Sequence, residues 1–401
     1  MKTDFGGKDL PLFDKCREFT AYRDSIEAGI YPYFHELQSG QAPEVVMEGK
    51  RRIMLGSNNY LGLTMHPDVI RAGVQALEKY GSGCSGSRFL NGNLDLHNIL
   101  ERELAEFLGK EACVLLSTGF QSNLGIISAV AGRHDYILSD RENHASIYDG
   151  CDLSYAETVR YRHNDMDDLE KRLQKLPREA GKLIVTDGVF SMSGDVCLLP
   201  EITELARRYN AATMVDDAHG FGVLGRGGRG TADHFGLTEQ TDIIMGTFSK
   251  SLASIGGFMA ADQYVIDYVR HNSRPFIFSA SIPPASAATA LAALRVIKAH
   301  PELPERLRSL SDYMRAGLAR RGVEIKQSST PIIPFYTYDM TATLTTAKKL
   351  FEAGVYVNPV LPPATPPSQC LLRSSLMASH TEPILDEAMD IIQAVMQQMR
   401  A

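Results

Sequence analysis

Residues 242–250 read Asp-Ile-Ile-Met-Gly-Thr-Phe-Ser-Lys. An apolar run, Asp242–Met245, ends in a Gly-Thr-Phe-Ser turn that delivers a single lysine, Lys250, and a second run follows at Gly257–Ala260. Runs with the same strand character recur upstream at Ala112–Leu116, Tyr136–Leu138, Leu183–Thr186 and Thr213–Val215, with amphipathic helical stretches between them. Strand and helix alternating in this rhythm over residues 57–285 predicts an α/β domain with a mostly parallel sheet.

The rest of the chain is organised around that block. At 401 residues it is longer than one compact core usually spans, so a large and a smaller domain are expected. Pro283-Pro284 punctuates the sequence, and a long Ala/Leu-rich helix from Ser286 to about His300 leads out of the first domain. Residues 286–401 mix helices (Thr346–Glu352, Glu382–Met399) with strand runs (Ile332–Thr337, Val355–Asn358), the pattern of a smaller α+β domain. Residues 1–56, with Tyr31, Tyr33 and Phe34 near a helix-like Ser25–Ala28 turn, read as an N-terminal arm packed on the small domain.

Composition excludes several classes. Net charge is −7, from 41 basic against 48 acidic residues, with no basic run interleaved with aromatics, which argues against a nucleic-acid binder. Met1–Leu10 is polar and carries four charged residues, so it lacks the apolar core of a secretory signal. No stretch approaches the roughly 18 apolar residues of a spanning helix. The six cysteines show no CxxC spacing, so neither a zinc site nor a redox pair is expected. Small thiols in a reducing cytoplasm are the plain reading, with peripheral contact at the inner face of a membrane left open.

In a parallel α/β sheet, ligands sit at the carboxyl ends of the strands. Just after the predicted runs come Ser117-Thr118-Gly119-Phe120, Asn143-His144, Asp187-Gly188 with Ser191, Asp216 with His219, and Thr247-Phe248-Ser249-Lys250. Lys250 alone reads first as a snorkelling surface lysine. In its Thr/Phe/Ser/Leu/Ala surroundings desolvation would disfavour the ammonium and yield a nucleophilic amine. Asp216-Asp217 alone could be a capping turn. A carboxylate at the base of a pocket can instead keep a pyridine nitrogen protonated, and His219 could reach the oxygen of the same ring. Ser117–Asn123 looks like any helix start, yet helix amides beside small hydroxyls also make a phosphate site, to which Thr247 and Ser249 could add. His144 could stack on the ring; its plain alternative is a structural histidine. Together these point to pyridoxal 5′-phosphate (PLP) carried on Lys250. Gly220–Gly230, with six glycines, has no phosphate-loop spacing and reads as a surface loop.

The set resembles the α-oxoamine synthase family of fold-type I PLP enzymes, from about Tyr31 to Met396. The matching segments are Gly56–Leu63, Ser117–Phe120, Asp187–Met192, Val215–Gly220 and Gly246–Lys250. Gly81–Gly92, Thr247–Gly257 and Leu361–Pro366 with Leu372-Arg373 and Met377–Thr381 look most like the members that use serine and a long acyl chain.

The resemblance implies an aminotransferase-like fold and an acyltransferase that condenses L-serine with palmitoyl-CoA, or another long-chain acyl-CoA. The products would be 3-oxosphinganine, CoA and CO2. It implies Lys250 as the Schiff-base lysine and α-proton base, Asp216 on the pyridine nitrogen, His219 on the ring oxygen, and His144 stacked on the ring and near the substrate carboxylate. Thr118, Gly119, Phe120, Thr247 and Ser249 would hold the phosphate, and Ser191 would line the pocket. Arg373 would bind the substrate carboxylate, with Asn59 and Ser375 nearby. It also implies a homodimer with the site at the subunit interface, where Ser279 reaches the other copy's phosphate. Ala280 stands where many relatives have a second hydroxyl. Other amino acids or acyl donors, as in 8-amino-7-oxononanoate synthases and glycine or alanine C-acyltransferases, remain open, as does an acyl-carrier-protein donor. A non-catalytic PLP-binding module is the rival of a different class.

Overall fold

The computed structural model describes residues 10–362 and 364–400. Residues 1–9 of the expected arm, and Pro363 of the Leu361–Pro366 segment, lie outside them.

Strands β1 (Glu44–Met47) and β2 (Lys50–Met54) pair as a hairpin closed by Glu48-Gly49, both with positive φ (50° and 71°). Such a two-residue turn matches the right-handed twist of the strands it joins. A central sheet follows: β3 (Ala112–Leu116), β4 (Tyr136–Asp140), β5 (Glu157–Tyr161), β6 (Lys182–Asp187), β7 (Ala212–Asp216), β8 (Ile243–Thr247) and β9 (Gly257–Ala261). The order across it is β3-β9-β8-β7-β6-β4-β5. Only β9 runs against its neighbours. Parallel neighbours need a long crossover, but β8 and β9 are joined by the tight return 248–256, which forces the antiparallel step. The expected mostly parallel α/β sheet is therefore present, with Lys250 on its one short return.

The inner strands are buried on both faces, which is why they appear in the sequence as unbroken apolar runs. Successive side chains point to opposite faces. Val114, Ile137, Val185, Met214 and Met259 pack with Ile126 and Ile127 of the helix Gly119–Val130. Leu115, Leu138, Ile184, Val215 and Phe258 join the opposite core with Leu100, Leu104, Leu291 and Leu294. The helix Pro284–Ala299 lies along the helices Pro67–Tyr80 and Asp95–Leu108.

A second sheet collects β10 (Ile332–Tyr338), β12 (Asn358–Val360) and β13 (Cys370–Ser375), in the order β10-β13-β12. The short β11 (Val355–Tyr356) instead adds to β2 in parallel, joining the N-terminal hairpin to the C-terminal part.

The glycine-rich stretch Gly220–Gly230 is not the surface loop its composition suggests. Phe221 is 1% exposed, and only Arg226 of the stretch is exposed. The buried Asp217 carboxylate accepts the Thr231 N–H (2.8 Å) and hydroxyl (2.6 Å). A side chain on Gly230, at φ +101°, would stand 1.8 Å from Asp217 Oδ2, so glycine is needed there. Of the neighbouring Asp216 and Asp217, the second does the structural work.

Among the described residues no helix is long and apolar enough to cross a membrane, and the cysteines are unpaired.

Candidate active site

The carboxyl ends of β3, β4, β6, β7 and β8 converge on one cavity of about 250 Å³. Thr118, Gly119, Phe120, His144, Asp216, His219, Thr247, Ser249 and Lys250 line it together, while Ser191 and Ser279 do not.

Each arrives by local chemistry. Thr118 caps the helix Gly119–Val130, its hydroxyl accepting the Gln121 N–H at 3.1 Å. That aims the first-turn amides at the cavity. A Cβ on Gly119 would fall 2.6 Å from Thr247 Oγ1, so the helix start and the β8 end meet only because glycine stands there. Thr247 Oγ1 lies 3.0 Å from Gly256 O and accepts the Ser249 N–H at 3.3 Å, bracing the return that carries Lys250. Phe248 N–H on Gly256 O and Ser254 N–H on Phe248 O, both 2.9 Å, close that return.

Asp216 is 4% exposed at the cavity floor. Its Oδ1 accepts the Ala218 N–H (3.0 Å) and its Oδ2 the Asn123 side-chain amide (2.6 Å). Asp187 pairs with it in register across β6 and β7. Burial, then the Asp216 charge, hold the Asp187 carboxyl well above the ordinary range, so this member of the pair keeps the proton. Desolvation lowers the Lys250 amine to about 8 although the Asp216 carboxylate pulls the other way. Lys250 is only half-buried, open to the cavity, so a neutral, accessible amine is available near neutral pH.

The two histidines are held differently. His144 stands at the open rim and caps the helix Ala145–Leu153, its Nδ1 accepting the Ser146 N–H at 3.3 Å. Asn123 Nδ2 donates to Ser146 Oγ (2.8 Å), so the Ser146 hydroxyl hydrogen turns to His144 Nδ1 (2.7 Å). Nδ1 is thus an acceptor, and His144 Nε2 carries the proton. His219 is 7% exposed, with Nδ1 2.6 Å from the Tyr60 hydroxyl. Burial, then the nearby Lys250 and Arg373 charges, keep it neutral.

Arg373, at the β13 position paired with Pro334 and Asn358, is 3% exposed. Its fork donates to Ser191 O, Asn58 Oδ1 (3.0 Å), Tyr60 OH (3.2 Å) and Ser375 Oγ (3.3 Å). Ser191 therefore contributes its carbonyl to Arg373. Ser375 orients the guanidinium while its own hydroxyl donates to Ser57 O. Asn59 lies across Lys250 from this cavity, in an adjoining cleft that shares Ser249 and Lys250, with its amide on Thr64 Oγ1 (2.8 Å). Ser279 stands outside the cavity, where its hydroxyl accepts from Gln121 Nε2 (3.3 Å). Sequence reasoning assigned no role to Asn123, Ser146, Asn58 or Tyr60. Asn123 and the Asn58–Tyr60 pair lay inside segments already singled out, but a buried amide and a helix-capping amide look alike in sequence.

The family described as aminotransferase class I and II matches residues 50–392. The chain is 51% identical to a serine palmitoyltransferase of Sphingobacterium spiritivorum over 387 residues, covering 96% of this chain and 97% of the relative. It is 42% identical to an 8-amino-7-oxononanoate synthase of Thermoanaerobacter pseudethanolicus over 374 residues, covering 93% and 95%. A solved structure described as SPT with a PLP internal aldimine superimposes with a TM-score of 0.94 at 39% identity, covering 98% of this chain and all of that one. With these matches spanning nearly its whole length, the chain belongs to the aminotransferase class I and II family.

Proposed function

We propose that this chain is a PLP enzyme that condenses L-serine with palmitoyl-CoA, or another long-chain acyl-CoA, releasing CoA and CO2 and yielding 3-oxosphinganine, the first step of sphingolipid synthesis. The residues suit the cofactor. One cavity brings together an amine on Lys250, a buried carboxylate on Asp216, two imidazoles on His144 and His219, and the helix start Thr118–Phe120 beside the Thr247 and Ser249 hydroxyls, the donor set that such a group needs. When bound, the group supplies an electron sink for charge developing at the substrate α-carbon.

The chain's own residues do the rest. Lys250 Nζ would anchor the group and would serve as the base for the substrate α-proton; an amine lowered to about 8 suits both roles. The Asp216 carboxylate, its Oδ2 braced by Asn123, would keep the ring nitrogen protonated. His219 would donate to the ring oxygen. His144 would cover the ring and, through Nε2–H, help hold the substrate carboxylate. Thr118, Gly119 and Phe120 offer first-turn hydrogen-bond donors to the phosphate, joined by Thr247 and Ser249. Arg373, held in place by Ser191 O, Asn58, Tyr60 and Ser375, would offer its positive charge to the carboxylate of serine, with Asn59 in the adjoining cleft. Holding the substrate at both ends orients the bond to be broken. A second copy of the chain would complete the site through Ser279, making the working unit a homodimer. The working place is the cytoplasm, with contact at a membrane surface where the acyl substrate partitions.

The observation that carries the chemistry is the half-buried Lys250 amine in one cavity with Asp216, His219 and His144. The choice of serine and a long acyl chain rests on the relatives. Purified protein loaded with PLP is assayed for CoA release with L-serine, glycine and L-alanine against a series of acyl-CoA lengths. Serine with palmitoyl-CoA giving 3-oxosphinganine by mass spectrometry is the expected result. Turnover confined to glycine or alanine would replace the substrate assignment with the 8-amino-7-oxononanoate synthase type, and a colourless, inert protein would end the enzymatic reading.

A further inference from the structure

His219 is asked to donate a hydrogen bond into the cavity, yet a neutral imidazole carries one proton and can place it on either nitrogen. What decides is the hydrogen bond made by the other nitrogen. Here that atom is Nδ1, and it faces the hydroxyl of Tyr60 at 2.6 Å.

Tyr60 is fully buried, 0% exposed, with its ring edge-on to His219 at 5.9 Å between centroids. Its hydroxyl has three neighbours: His219 Nδ1 at 2.6 Å, Arg373 NH2 at 3.2 Å and Asn58 Oδ1 at 3.4 Å. The guanidinium can only donate, so the Tyr60 oxygen accepts from Arg373. Its one hydrogen then goes to His219 or to Asn58. Asn58 Oδ1 is the longer contact and already accepts from Arg373 at 3.0 Å. A good O–H···O bond spans about 2.5–3.0 Å, so sent to Asn58 at 3.4 Å the hydrogen would be nearly wasted, while sent to Nδ1 at 2.6 Å it makes a full bond. Nδ1 is therefore the acceptor, and the proton of His219 stands on Nε2.

We infer that Tyr60 is a positioning residue that fixes the His219 tautomer, presenting Nε2–H to the cavity, and that it couples Arg373 to His219. The chain Arg373–Tyr60–His219 then links the group that would hold the substrate carboxylate to the one that would touch the cofactor ring. Substrate drawing on the Arg373 fork polarises the Tyr60 hydroxyl and, through it, the His219 donor. Burial supports this: it raises the Tyr60 phenol, so the hydroxyl keeps its hydrogen. The inference rests on the proposed function for the identity of the two ligands.

The test uses the PLP-loaded protein. In the unmodified protein, ¹⁵N NMR of labelled histidine should show His219 protonated at Nε2 and bare at Nδ1; the reverse pattern overturns the inference whether or not any variant folds. Tyr60→Phe keeps the ring and removes the hydroxyl. Its visible band should titrate with an apparent pKa moved by about one unit, and serine affinity read from the same band should weaken about tenfold. A Tyr60→Phe protein with unchanged titration and serine affinity overturns the assignment. In a His219→Gln background, Tyr60→Phe should no longer move the titration of the band, because that effect runs through His219. A full additional shift of the titration there makes Tyr60 merely structural and also overturns it. A protein that takes up no PLP defeats the functional reading itself, whereas a serine-responsive band with the wrong tautomer defeats only this inference.

Discussion

Asn123 places its side-chain nitrogen 2.6 Å from Asp216 Oδ2, and its second hydrogen reaches Ser146 Oγ at 2.8 Å. One buried amide thus braces the carboxylate at the cavity floor and, through Ser146, the ring of His144 at the rim. Hydrogen bonds to a charged group contribute about 1.5–3 kcal/mol. Asn123→Ala should therefore weaken PLP binding to the apoprotein by about ten- to a hundredfold, measured by absorbance titration. Asn123→Asp should be worse, since it faces Asp216 with a second carboxylate. Wild-type affinity in both variants would mean that the contact is incidental.

The Lys250 amine, lowered to about 8, makes capture of PLP pH-dependent. Only the neutral amine attacks, so the rate of colour development in apoprotein should rise about tenfold from about pH 6 to pH 7 and level off above about pH 8. Stopped-flow mixing reads this directly. A rate still climbing steeply to about pH 10 would mean an ordinary lysine. Lys250→Ala should develop no such band and show no turnover.

Arg373→Lys keeps the charge and loses the fork. The KM for serine should rise by about a hundredfold, with a smaller fall in kcat, because a bidentate site is not satisfied by an ammonium. Some stability should also be lost, since Arg373 holds Ser191 O and Tyr60 OH. Steady-state kinetics at saturating acyl-CoA, with thermal melting alongside, separates the two effects. An unchanged KM would remove Arg373 from substrate binding.

His163 ties the β4 end to the turn that carries Asp195. Its Nδ1 is 3.1 Å from Asp140 and its Nε2 3.4 Å from Asp195, which in turn pairs with Lys326. Burial opposes its charge, but these carboxylates prevail and raise it to about 9. The folded value lies above the unfolded one of about 6.5, so the stabilisation is full below about pH 6.5 and is lost as pH rises through about 9. At most about 3 kcal/mol is at stake. Melting between about pH 7 and pH 10 should show this loss in the parent and much less of it in His163→Gln. Parallel melting curves for the two would refute the pairing.

Legibility in the sequence followed burial. Strands covered on both faces appear as unbroken apolar runs, so six strands of the large sheet could be read within a residue or two. The seventh, β5, could not. It lies at the sheet edge, and Glu-Thr-Val-Arg-Tyr carries no apolar run. Gly220–Gly230 was misread because glycine spacing cannot tell an exposed loop from one wound around a buried carboxylate, here Asp217. Of the site, Lys250, Asp216, His219, His144 and the Thr118–Phe120 turn were legible because each follows a strand run and so must emerge at the same edge of a parallel sheet.

By itself, then, the sequence determined the α/β architecture and which side chains reach the carboxyl edge, because apolar strand runs and the turns that follow them are properties of short stretches. Only the tertiary structure decided what those side chains touch. Asn123 meets Asp216 across 93 residues, and Arg373 meets Tyr60 across 313. Such contacts depend on how the sheets and helices close on one another, and directional hydrogen bonds a few tenths of an ångström apart then settle which nitrogen of a histidine keeps its proton.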